Sequence, residues 1–302
     1  MILLSLLGEQ PIPNLLPLWQ YPDYTAVQFA ATRRTLPVAQ TLTNAIARDP
    51  AIKRVEVLDP LILEAYNIAQ ARAALAGALA NFLQAGRAVQ LNLTGGTKLM
   101  SLAALQAAFG TGVPLLYVST EEKIIIHYHS DGSEYQRDAI QVKISVAQYL
   151  QAHGLECGNS QSFNPNGPFS DIQPPKEGDK LEESVYLQAC QSNLFDDVRR
   201  NLFVRRQTEQ GQVVNELDVV ATHNGRLVVC SCKSGKLTND ALYELTSLLR
   251  RELAGIYCGK VLVSGQIDLS KALRDRASAD GVRLIYGSEV ENAASHLFAA
   301  LR

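Results

Sequence analysis

Residues 89–109, VQLNLTGGTKLMSLAALQAAF, decide the fold of the first half of this chain. Residues 89–93 have the short, largely apolar pattern of a buried strand, and residues 98–109 have the Ala- and Leu-rich pattern of a helix. Two adjacent glycines, Gly95 and Gly96, join them in a tight turn. A strand that passes through such a turn directly into a helix is the repeating unit of an α/β domain with a parallel sheet.

The same alternation continues on both sides of this unit. Further strands are predicted at residues 2–7, 26–31, 54–58 and 115–119, and further helices at 37–48 and 61–83. The helices carry wide apolar stripes, as in ARAALAGALANFL at 71–83, which suits helices that lie on a sheet. We therefore predict a doubly wound, Rossmann-like α/β domain over residues 1–150.

A change of composition marks the end of this domain. Residues 154–179 are rich in Gly, Pro, Asn and Ser and have few periodic apolar residues, so we predict a linker over 151–179. Beyond it, the predicted order is helix, three strands, helix and strand, followed by a last α–β–α stretch. This order differs from that of the first half and predicts a second α/β domain over residues 180–302.

The composition is that of a folded protein without a strong field of either sign. The chain has 302 residues, 47% of them hydrophobic, and a formal net charge of −2. These values exclude intrinsic disorder and a uniformly basic nucleic-acid-binding surface. The five cysteines form no CxxC pair, which argues against a zinc module or a disulfide scaffold. The first apolar run is too short for a signal peptide or a membrane span, so we expect a cytoplasmic protein with no membrane partner.

The glycine turn at residues 94–98 is a candidate anion site. Its backbone amides can turn inward as a nest, and the N-terminus of the following helix adds partial positive charge. The turn lacks the spacing of a nucleotide triphosphate loop, and no dinucleotide fingerprint follows the first strand. The plainer alternative is that Gly95 and Gly96 only make a tight turn.

A second loop, GEQPIPN at 8–14, follows the first predicted strand. It is expected at the same carboxyl edge of the sheet, where open α/β sheets bind ligands. The amides of Gln10 and Asn14 can both donate and accept, which suits the recognition of a base edge, and prolines such as Pro11 stiffen the segment. An ordinary polar loop is the alternative.

The two loops together, GEQPIPN and LNLTGGTKLMSLAAL at 91–105, resemble the CRISPR-associated Rossmann-fold (CARF) domain of ancillary nucleases that join it to a restriction-endonuclease-like domain. The resemblance covers essentially the whole chain. It implies a homodimer that binds cyclic tetra-adenylate, a ring of four adenylates, across its two-fold axis. Carried over to this sequence, the residues expected to meet phosphates and riboses are Thr94, Gly95, Gly96, Thr97 and Lys98, and those expected to border the adenines are Gln10, Pro11 and Asn14.

In the second domain, the chemistry centres on Asp218 and Lys233. The segments NELDVV at 215–220 and LVVCSCK at 227–233 are predicted strands joined through Asn224-Gly225, a strong hairpin signal. This hairpin brings Asp218 and Lys233 onto adjacent strands. A carboxylate that holds Mg²⁺ or Mn²⁺ and a lysine that stabilises the attacked phosphate are the parts that metal-dependent phosphodiester hydrolysis needs.

This arrangement resembles the PD-(D/E)xK nuclease core. The resemblance implies that Glu182, at a predicted helix start, joins Asp218 and Lys233 as a catalytic residue. It also implies a metal held by Asp218, Glu182 and the backbone carbonyl of Cys232. One position departs from the pattern, because Ser231 stands where the family has an acid two residues before the lysine. Three carboxylates are candidate replacements for that acid: Glu183, Glu216 and Glu244.

Two functions from different classes follow. The first is a type III CRISPR ancillary nuclease that cyclic tetra-adenylate activates allosterically and that cuts DNA, RNA or both. The second, favoured by Ser231, is a non-catalytic sensor whose degenerate nuclease domain binds nucleic acid. A Rossmann-type oxidoreductase is a distant third, since the glycine fingerprint is missing. Most of the basic residues at 199–200, 205–206 and 250–251 are expected to be solvated surface, although a channel for a phosphate backbone would need such a cluster. Only Lys236 is expected near the nuclease site.

Overall fold

The computed structural model describes residues 1–158, 180–208, 211–249 and 254–301. The chain forms two compact units, Met1–Val142 and Lys143–Arg302, both of the α/β class. The boundary lies at Val142 rather than at about residue 150, because helix Val146–Ala152 packs within the second unit. Tyr149 on this helix donates a hydrogen bond to the Ala254 carbonyl at 2.8 Å. Residues 159–179 of the predicted linker lie outside the described residues.

Within residues 1–142, all of which are described, the strands form one seven-stranded sheet. They are β1 (Ile2–Leu6), β2 (Ala26–Ala31), β3 (Glu56–Ile62), β4 (Val89–Asn92), β5 (Leu115–Ser119), β6 (Ile124–Tyr128) and β7 (Glu134–Ala139). Their order is β3-β2-β1-β4-β5-β6-β7, parallel from β3 to β5 and antiparallel from β5 to β7. The chain leaves β1 toward β2 on one side and returns as β4 on the other. The carboxyl ends of β1 and β4 therefore border the crevice at which such sheets bind ligands.

The helices of the first unit are α1 (Ile12–Gln20), α2 (Leu36–Arg48), α3 (Ile68–Gln84) and α4 (Lys98–Ala108). The last three confirm the predicted alternation, whereas α1 begins inside the predicted loop at 8–14. Pro11 is its N-cap, and a second proline follows in the first turn, where a missing N–H costs no helical hydrogen bond. Leu15, Leu16 and Leu18 then bury one face of the helix.

The prediction of a helix from residue 61 was wrong at its start. Residues up to Ile62 continue β3, and α3 begins only at Ile68, where the Asn67 side chain accepts a hydrogen bond from the Gln70 amide at 3.0 Å. β3 is the edge strand of the sheet, and an edge tolerates Pro60, which has no N–H to donate. Apolar periodicity alone therefore placed the helix several residues too early.

The second unit contains a six-stranded sheet among the described residues. Its elements are α5 (Val146–Ala152), β8 (Glu156–Gly158), α6 (Lys180–Gln191), β9 (Asp197–Thr208), β10 (Gly211–His223), β11 (Arg226–Lys233), α7 (Asn239–Leu248), β12 (Gly259–Ser264), α8 (Lys271–Ala279), β13 (Val282–Ile285) and α9 (Ala293–Ala299). The strand order is β13-β12-β11-β10-β9-β8, parallel from β13 to β11 and antiparallel from β11 to β8.

The β10–β11 hairpin has the predicted Asn224-Gly225 turn, with φ values of 49° and 75°. Its ladder runs from His223 opposite Arg226 to Val219 opposite Cys230, and β10 stays paired with β9 beyond that point. The two strands thus part at Asp218, which opens the sheet into a fork. On one side of this sheet, α6 and α9 pack in an apolar core.

None of the helices in the described part of the chain combines the length and the apolar character needed to cross a bilayer.

Candidate functional site

In the first unit, the turn between β4 and α4 lies directly on the backbone of β1. A Cβ atom on Gly95 would stand 1.9 Å from the Leu6 carbonyl oxygen and 2.9 Å from the Gly8 amide nitrogen. Gly96 has φ = +77°, a conformation that favours glycine. The two glycines therefore have separate causes: Gly95 permits close approach to the end of β1, and Gly96 permits the turn.

A buried polar network lies beneath this turn and joins it to the segment after β1. Ser5 and Asn92 are neighbours on β1 and β4, and the side chains of Ser5, Asn14 and Asn92 are all fully buried. Asn92 Nδ2 donates to Ser5 Oγ at 3.0 Å, and Ser5 Oγ donates to Asn14 Oδ1 at 2.8 Å. Asn14 Nδ2 in turn donates to the Gln10 carbonyl at 3.1 Å. Both ends of the Asn14 amide thus have hydrogen-bond partners within the protein, and its bond to the Gln10 carbonyl holds that segment in place.

The two threonines of the turn also have structural partners. Thr94 Oγ1 donates to Asn92 Oδ1 at 2.6 Å and accepts from the Val118 amide at 2.8 Å. Thr97 is the N-cap of α4, where its hydroxyl accepts from the Met100 amide and donates to the Ala65 carbonyl at 2.8 Å. The turn is consequently rigid, and the N-terminus of α4 is aimed by Thr97 at the carboxyl edge of the sheet.

Exposed side chains surround this turn. Lys98, the first residue of α4, is exposed, and so is Gly96. Arg34, which follows β2, reaches Glu9 at 2.5 Å. Tyr66 lies in the β3–α3 segment next to the Ala65 carbonyl that Thr97 binds, and 80% of its surface is exposed. The site therefore combines cations with an aromatic ring. The sequence patterns singled out neither Arg34 nor Tyr66.

Of the remaining residues expected here, Gln10 is partly exposed beside the site and Pro11 is buried as the α1 N-cap. The glycine turn, Lys98 and Gln10 are thus brought to one edge of the sheet. Asn14 lies below that edge, in the buried network.

In the second unit, the fork between β10 and β11 opens into a cleft of about 400 Å³. Its polar lining includes Arg206, Glu216, Asp218, Ser231, Lys233 and Glu244. The predicted carboxylate and lysine of the hairpin therefore face one space. Glu216 and Glu244, two of the three candidate replacement acids, line it as well. The third, Glu183, lies 3.6 Å from Arg200, with which it forms an ion pair.

Asp218 is held by β11 at the point where the two strands part. Its Oδ2 accepts hydrogen bonds from the Cys232 amide at 2.7 Å and from the Ser231 hydroxyl at 3.0 Å. The first bond gives the Cys232 N–H an acceptor where the β10–β11 ladder has ended. The residue that replaces the usual acid thus donates a hydrogen bond to the neighbouring acid, and it does not add a negative charge.

Glu182 belongs to α6, and Cys232 lies on the face of β11 that packs against this helix. Glu182 is in the first turn of α6, and the cleft lining described above does not include it among the described residues. Cys232 is buried with its Sγ 3.8 Å from that of Cys230. The contact with Cys230, burial, and the Asp218 and Glu182 carboxylates all raise the pKa of the Cys232 thiol. A thiolate ligand is therefore disfavoured, which leaves the backbone carbonyl of Cys232 as its available donor.

The donor chemistry of the cleft suits a hard divalent cation, because carboxylate and hydroxyl oxygens are the ligands that Mg²⁺ and Mn²⁺ prefer. Asp218, Glu216 and Glu244 supply such oxygens. In the described part of the chain, however, no group of three His, Cys, Asp or Glu side chains is arranged to hold a metal ion. The residues fit a divalent cation by type, and Asp218 with Glu216 or Glu244 would be the side chains that hold it.

The basic residues near the cleft differ from the expected ones. Arg206 lines it, whereas the exposed Lys236 is not part of its lining. Arg205 is held by Glu156 on β8, with Nε 2.9 Å from Oε2. Residues 250 and 251 lie outside the described residues. Successive residues of a strand point to opposite faces of the sheet. Had β9 been aligned with the β10–β11 hairpin from the sequence, this alternation could have placed Arg206 on the same face as the cleft.

Comparison with known proteins matches both units. The family model of the Card1 CARF domain matches residues 2–149, and that of the Card1-like endonuclease domain matches residues 176–301. The endonuclease match indicates a divalent metal cofactor in general terms. A search of curated proteins gave no match.

Solved structures with the same fold cover nearly all of this chain. Protein VC1899 from Vibrio cholerae has a TM-score of 0.83 at 19% identity, over 99% of this chain and 98% of that one. Can2 from Sulfobacillus thermosulfidooxidans, in complex with cyclic tetra-adenylate, has a TM-score of 0.80 at 20% identity, over 98% and 99%. A type III CRISPR defence DNA nuclease activated by cyclic oligoadenylate has a TM-score of 0.62 at 19% identity, and the match spans 98% of this chain but 51% of that one.

Proposed function

This chain belongs to the Card1-like family of CRISPR-associated nucleases, which join a CARF domain to an endonuclease domain, and from that premise we propose that it is a cyclic tetra-adenylate-activated, metal-dependent phosphodiesterase. The observation that carries the proposal is the convergence of Asp218 and Lys233 on one cleft. A carboxylate and a lysine facing a common space are what the hydrolysis of a phosphodiester requires.

The activator site that we propose is the edge of the first sheet around Gly96. Backbone amides at the α4 N-terminus and the Lys98 ammonium suit the phosphates of the ring. The exposed Tyr66 ring offers a stacking surface for an adenine, and the partly exposed Gln10 amide would meet a base edge. The relative Can2 was solved with cyclic tetra-adenylate, which supports this choice of ligand.

In the endonuclease cleft, Asp218 with Glu216 or Glu244 would hold a divalent cation, Mg²⁺ or Mn²⁺. Such a cation, when bound, supplies Lewis acidity and lowers the pKa of water. Ser231 and the Cys232 amide both donate to Oδ2 of Asp218 and so fix the carboxylate, and Oδ1 would be the oxygen that binds the cation. The Lys233 ammonium stabilises negative charge on the attacked phosphate. Glu182, in the first turn of α6, stays a candidate catalytic residue.

The ring can activate the enzyme only if it binds the cutting arrangement more tightly than the resting one. A four-adenylate ring has internal two-fold symmetry, which two copies of the same loops match best. We therefore propose a homodimer that forms without the ring and changes its population of active states when the ring binds. Light scattering tests this directly, and a monomer both with and without the ring would contradict it.

The deciding experiment is a cleavage assay with Mn²⁺ or Mg²⁺, with and without cyclic tetra-adenylate, on supercoiled DNA and on single-stranded RNA. We expect ring-stimulated cutting that is lost in Asp218→Ala and in Lys233→Ala, while calorimetry gives unchanged ring binding in both variants. The two substrates decide between DNase and RNase activity. Cutting that is independent of the ring would contradict the activation step.

Ser231 favours one alternative function, a sensor whose second unit binds nucleic acid without cutting it. Its side chain provides a hydroxyl where the PD-(D/E)xK pattern has an acid, so the site has one negative charge fewer than that pattern. The sensor function predicts ring binding and nucleic-acid binding with no cutting of either substrate under either metal. Cutting that appears only after Ser231→Glu would establish this alternative.

A further inference from the structure

Among the residues that the structure describes, no ion pair explains the position of Arg206 in the cleft. Its backbone lies in the β9–β10 ladder opposite Val213, so the residue is fixed at the cleft wall. Its Nε is buried and makes no hydrogen bond within the described part of the protein. A buried guanidinium N–H without an acceptor costs free energy, so it needs an explanation.

The neighbouring Arg205, on the same strand, differs from Arg206 in having an ionic partner within the described part of the protein. Successive residues of a strand point to opposite faces, so the two guanidinium groups leave β9 in opposite directions. Arg205 is engaged by Glu156, with Nε 2.9 Å from Oε2. Arg206 faces the cleft instead, and its Nε stays unbonded although Glu216 and Glu244 line the same cleft.

Because Arg206 lines the cleft and is partly exposed, an anion that enters the cleft can accept hydrogen bonds from its guanidinium. Arginine presents its N–H groups in a planar fork that matches the oxygens of a phosphate. Lys233 lines the same cleft, so a phosphodiester bound there would meet a cation from β9 and another from β11. A strand of nucleic acid carries phosphates at regular spacing, and only one of them has to be at the scissile position.

We propose that Arg206 is a substrate-binding residue that holds a backbone phosphate of the nucleic-acid strand in the endonuclease cleft. The inference rests on the proposed function, since it takes the cleft to be the nuclease site. It assigns Arg206 to binding, and Lys233 to the phosphate that is attacked. The chemistry is that of a phosphodiester backbone, which DNA and RNA share.

The test measures the binding of fluorescein-labelled single-stranded DNA and RNA oligonucleotides by anisotropy, in an Asp218→Ala background that prevents cutting, with the ring and Mn²⁺ present. Arg206→Met keeps an apolar stem and removes the charge, and Arg206→Lys keeps the charge without the fork. Lys271→Ala is the matched control, because Lys271 is exposed on α8 and does not line the cleft. Thermal melting of each variant checks its folding.

We expect Arg206→Met to weaken binding about tenfold and to reduce the salt-dependence slope by about 0.7, the value for one phosphate contact on a single strand. Arg206→Lys should keep the slope and lose affinity severalfold, and Lys271→Ala should change neither. Unchanged affinity in both Arg206 variants would overturn the inference, and if Arg206→Met does not fold, the Arg206→Lys result decides alone. If the Asp218→Ala protein with an intact Arg206 does not bind either oligonucleotide, the proposed function itself is overturned. If that protein binds and the Arg206 variants bind equally well, only the role of Arg206 is overturned.

Discussion

The Ser231 hydroxyl donates a hydrogen bond to Asp218 Oδ2 at 3.0 Å, across the fork between β10 and β11. The PD-(D/E)xK pattern that the sequence resembles has an acid at this position, where the two side chains would repel each other unless a cation lay between them. In this chain the same two positions attract. The site is therefore held together by its own hydrogen bonds before any cation enters.

This relationship predicts different effects of two substitutions at Ser231. Ser231→Glu turns attraction into repulsion and should lower the melting temperature of the metal-free protein by roughly 2–6 °C. Added Mn²⁺ should raise the melting temperature of Ser231→Glu by more than it raises that of the parent. Ser231→Ala, the control, removes one donor without adding charge, so its response to Mn²⁺ should stay close to that of the parent. An equal Mn²⁺ response in all three proteins would mean that no cation binds beside Asp218.

Lys98→Ala should weaken the binding of cyclic tetra-adenylate. A charge-assisted contact to a phosphate contributes about 1.5–3 kcal/mol, so the affinity measured by calorimetry should fall about ten- to a hundredfold. Lys53→Ala is the matched control, since Lys53 is also exposed but precedes β3, at the amino edge of the sheet. Equal affinities of the two variants would remove the basis for placing the ring at the turn.

Tyr66→Ala tests the stacking surface. Stacking of a base on an aromatic ring is worth about 1–3 kcal/mol, which corresponds to a loss of ring affinity of about five- to a hundredfold. Tyr66→Phe should bind like the parent, because stacking needs the ring and not the hydroxyl. Phe109→Ala removes another exposed aromatic side chain, 67% exposed, at the opposite end of α4 and should have no effect. A loss in Tyr66→Phe as large as that in Tyr66→Ala would argue for a hydrogen bond in place of stacking.

Gly95→Ala should destabilise the first unit by at least about 3 kcal/mol, because its Cβ would stand 1.9 Å from the Leu6 carbonyl oxygen and backbone atoms cannot move aside. Gly77→Ala provides the contrast, since nothing lies within 4 Å of its added Cβ and the residue is inside α3. Alanine there should stabilise by about 0.5–1 kcal/mol. Calorimetric melting measures both changes, and a Gly95→Ala protein as stable as the parent would contradict the close approach.

His153 predicts an acid sensitivity of the second unit. Its ring stacks on Tyr149, its Nε2 is buried without a partner among the described residues, and burial lowers its pKa to about 4. The unfolded chain therefore binds a proton more readily, so stability is full above about pH 6.5 and falls as the pH drops toward 4. Between pH 7 and 5 the loss should be about 1–2 kcal/mol. His153→Phe should lose less over the same interval, and identical losses would place the sensitivity elsewhere.

Much of this fold follows from local patterns. The alternation of short apolar runs with Ala-rich stretches predicts five parallel strands and three of the helices, and Asn224-Gly225 predicts the hairpin. Pro11 misled the sequence interpretation, because a proline that stiffens a loop and a proline that starts a helix look the same without tertiary packing. Likewise, the continuation of β3 through Pro60 depends on its being an edge strand, which only the assembled sheet decides.

The candidate sites were predictable where a residue type is tied to a turn, and less so where a partner comes from far along the chain. The glycine turn and the pair of Asp218 and Lys233 follow from local sequence. The burial of Asn14 does not, because the network that Asn14 joins through Ser5 also needs Asn92 from β4. The different fates of Arg205 and Arg206 depend on Glu156, roughly fifty residues away in the chain, and on strand register, which neither basic pair reveals.

In the buried network of Asn92, Ser5 and Asn14 below the glycine turn, all the hydrogen bonds are donated in the same direction. The Ser5 hydroxyl accepts from Asn92 and gives its only proton to Asn14, so it has a single proton arrangement and a single useful rotamer. Both segments that border the proposed ring site are therefore fixed before the ring arrives. A preorganised site loses little conformational entropy on binding, so more of the contact energy of the ring remains available for shifting the protein toward its active state.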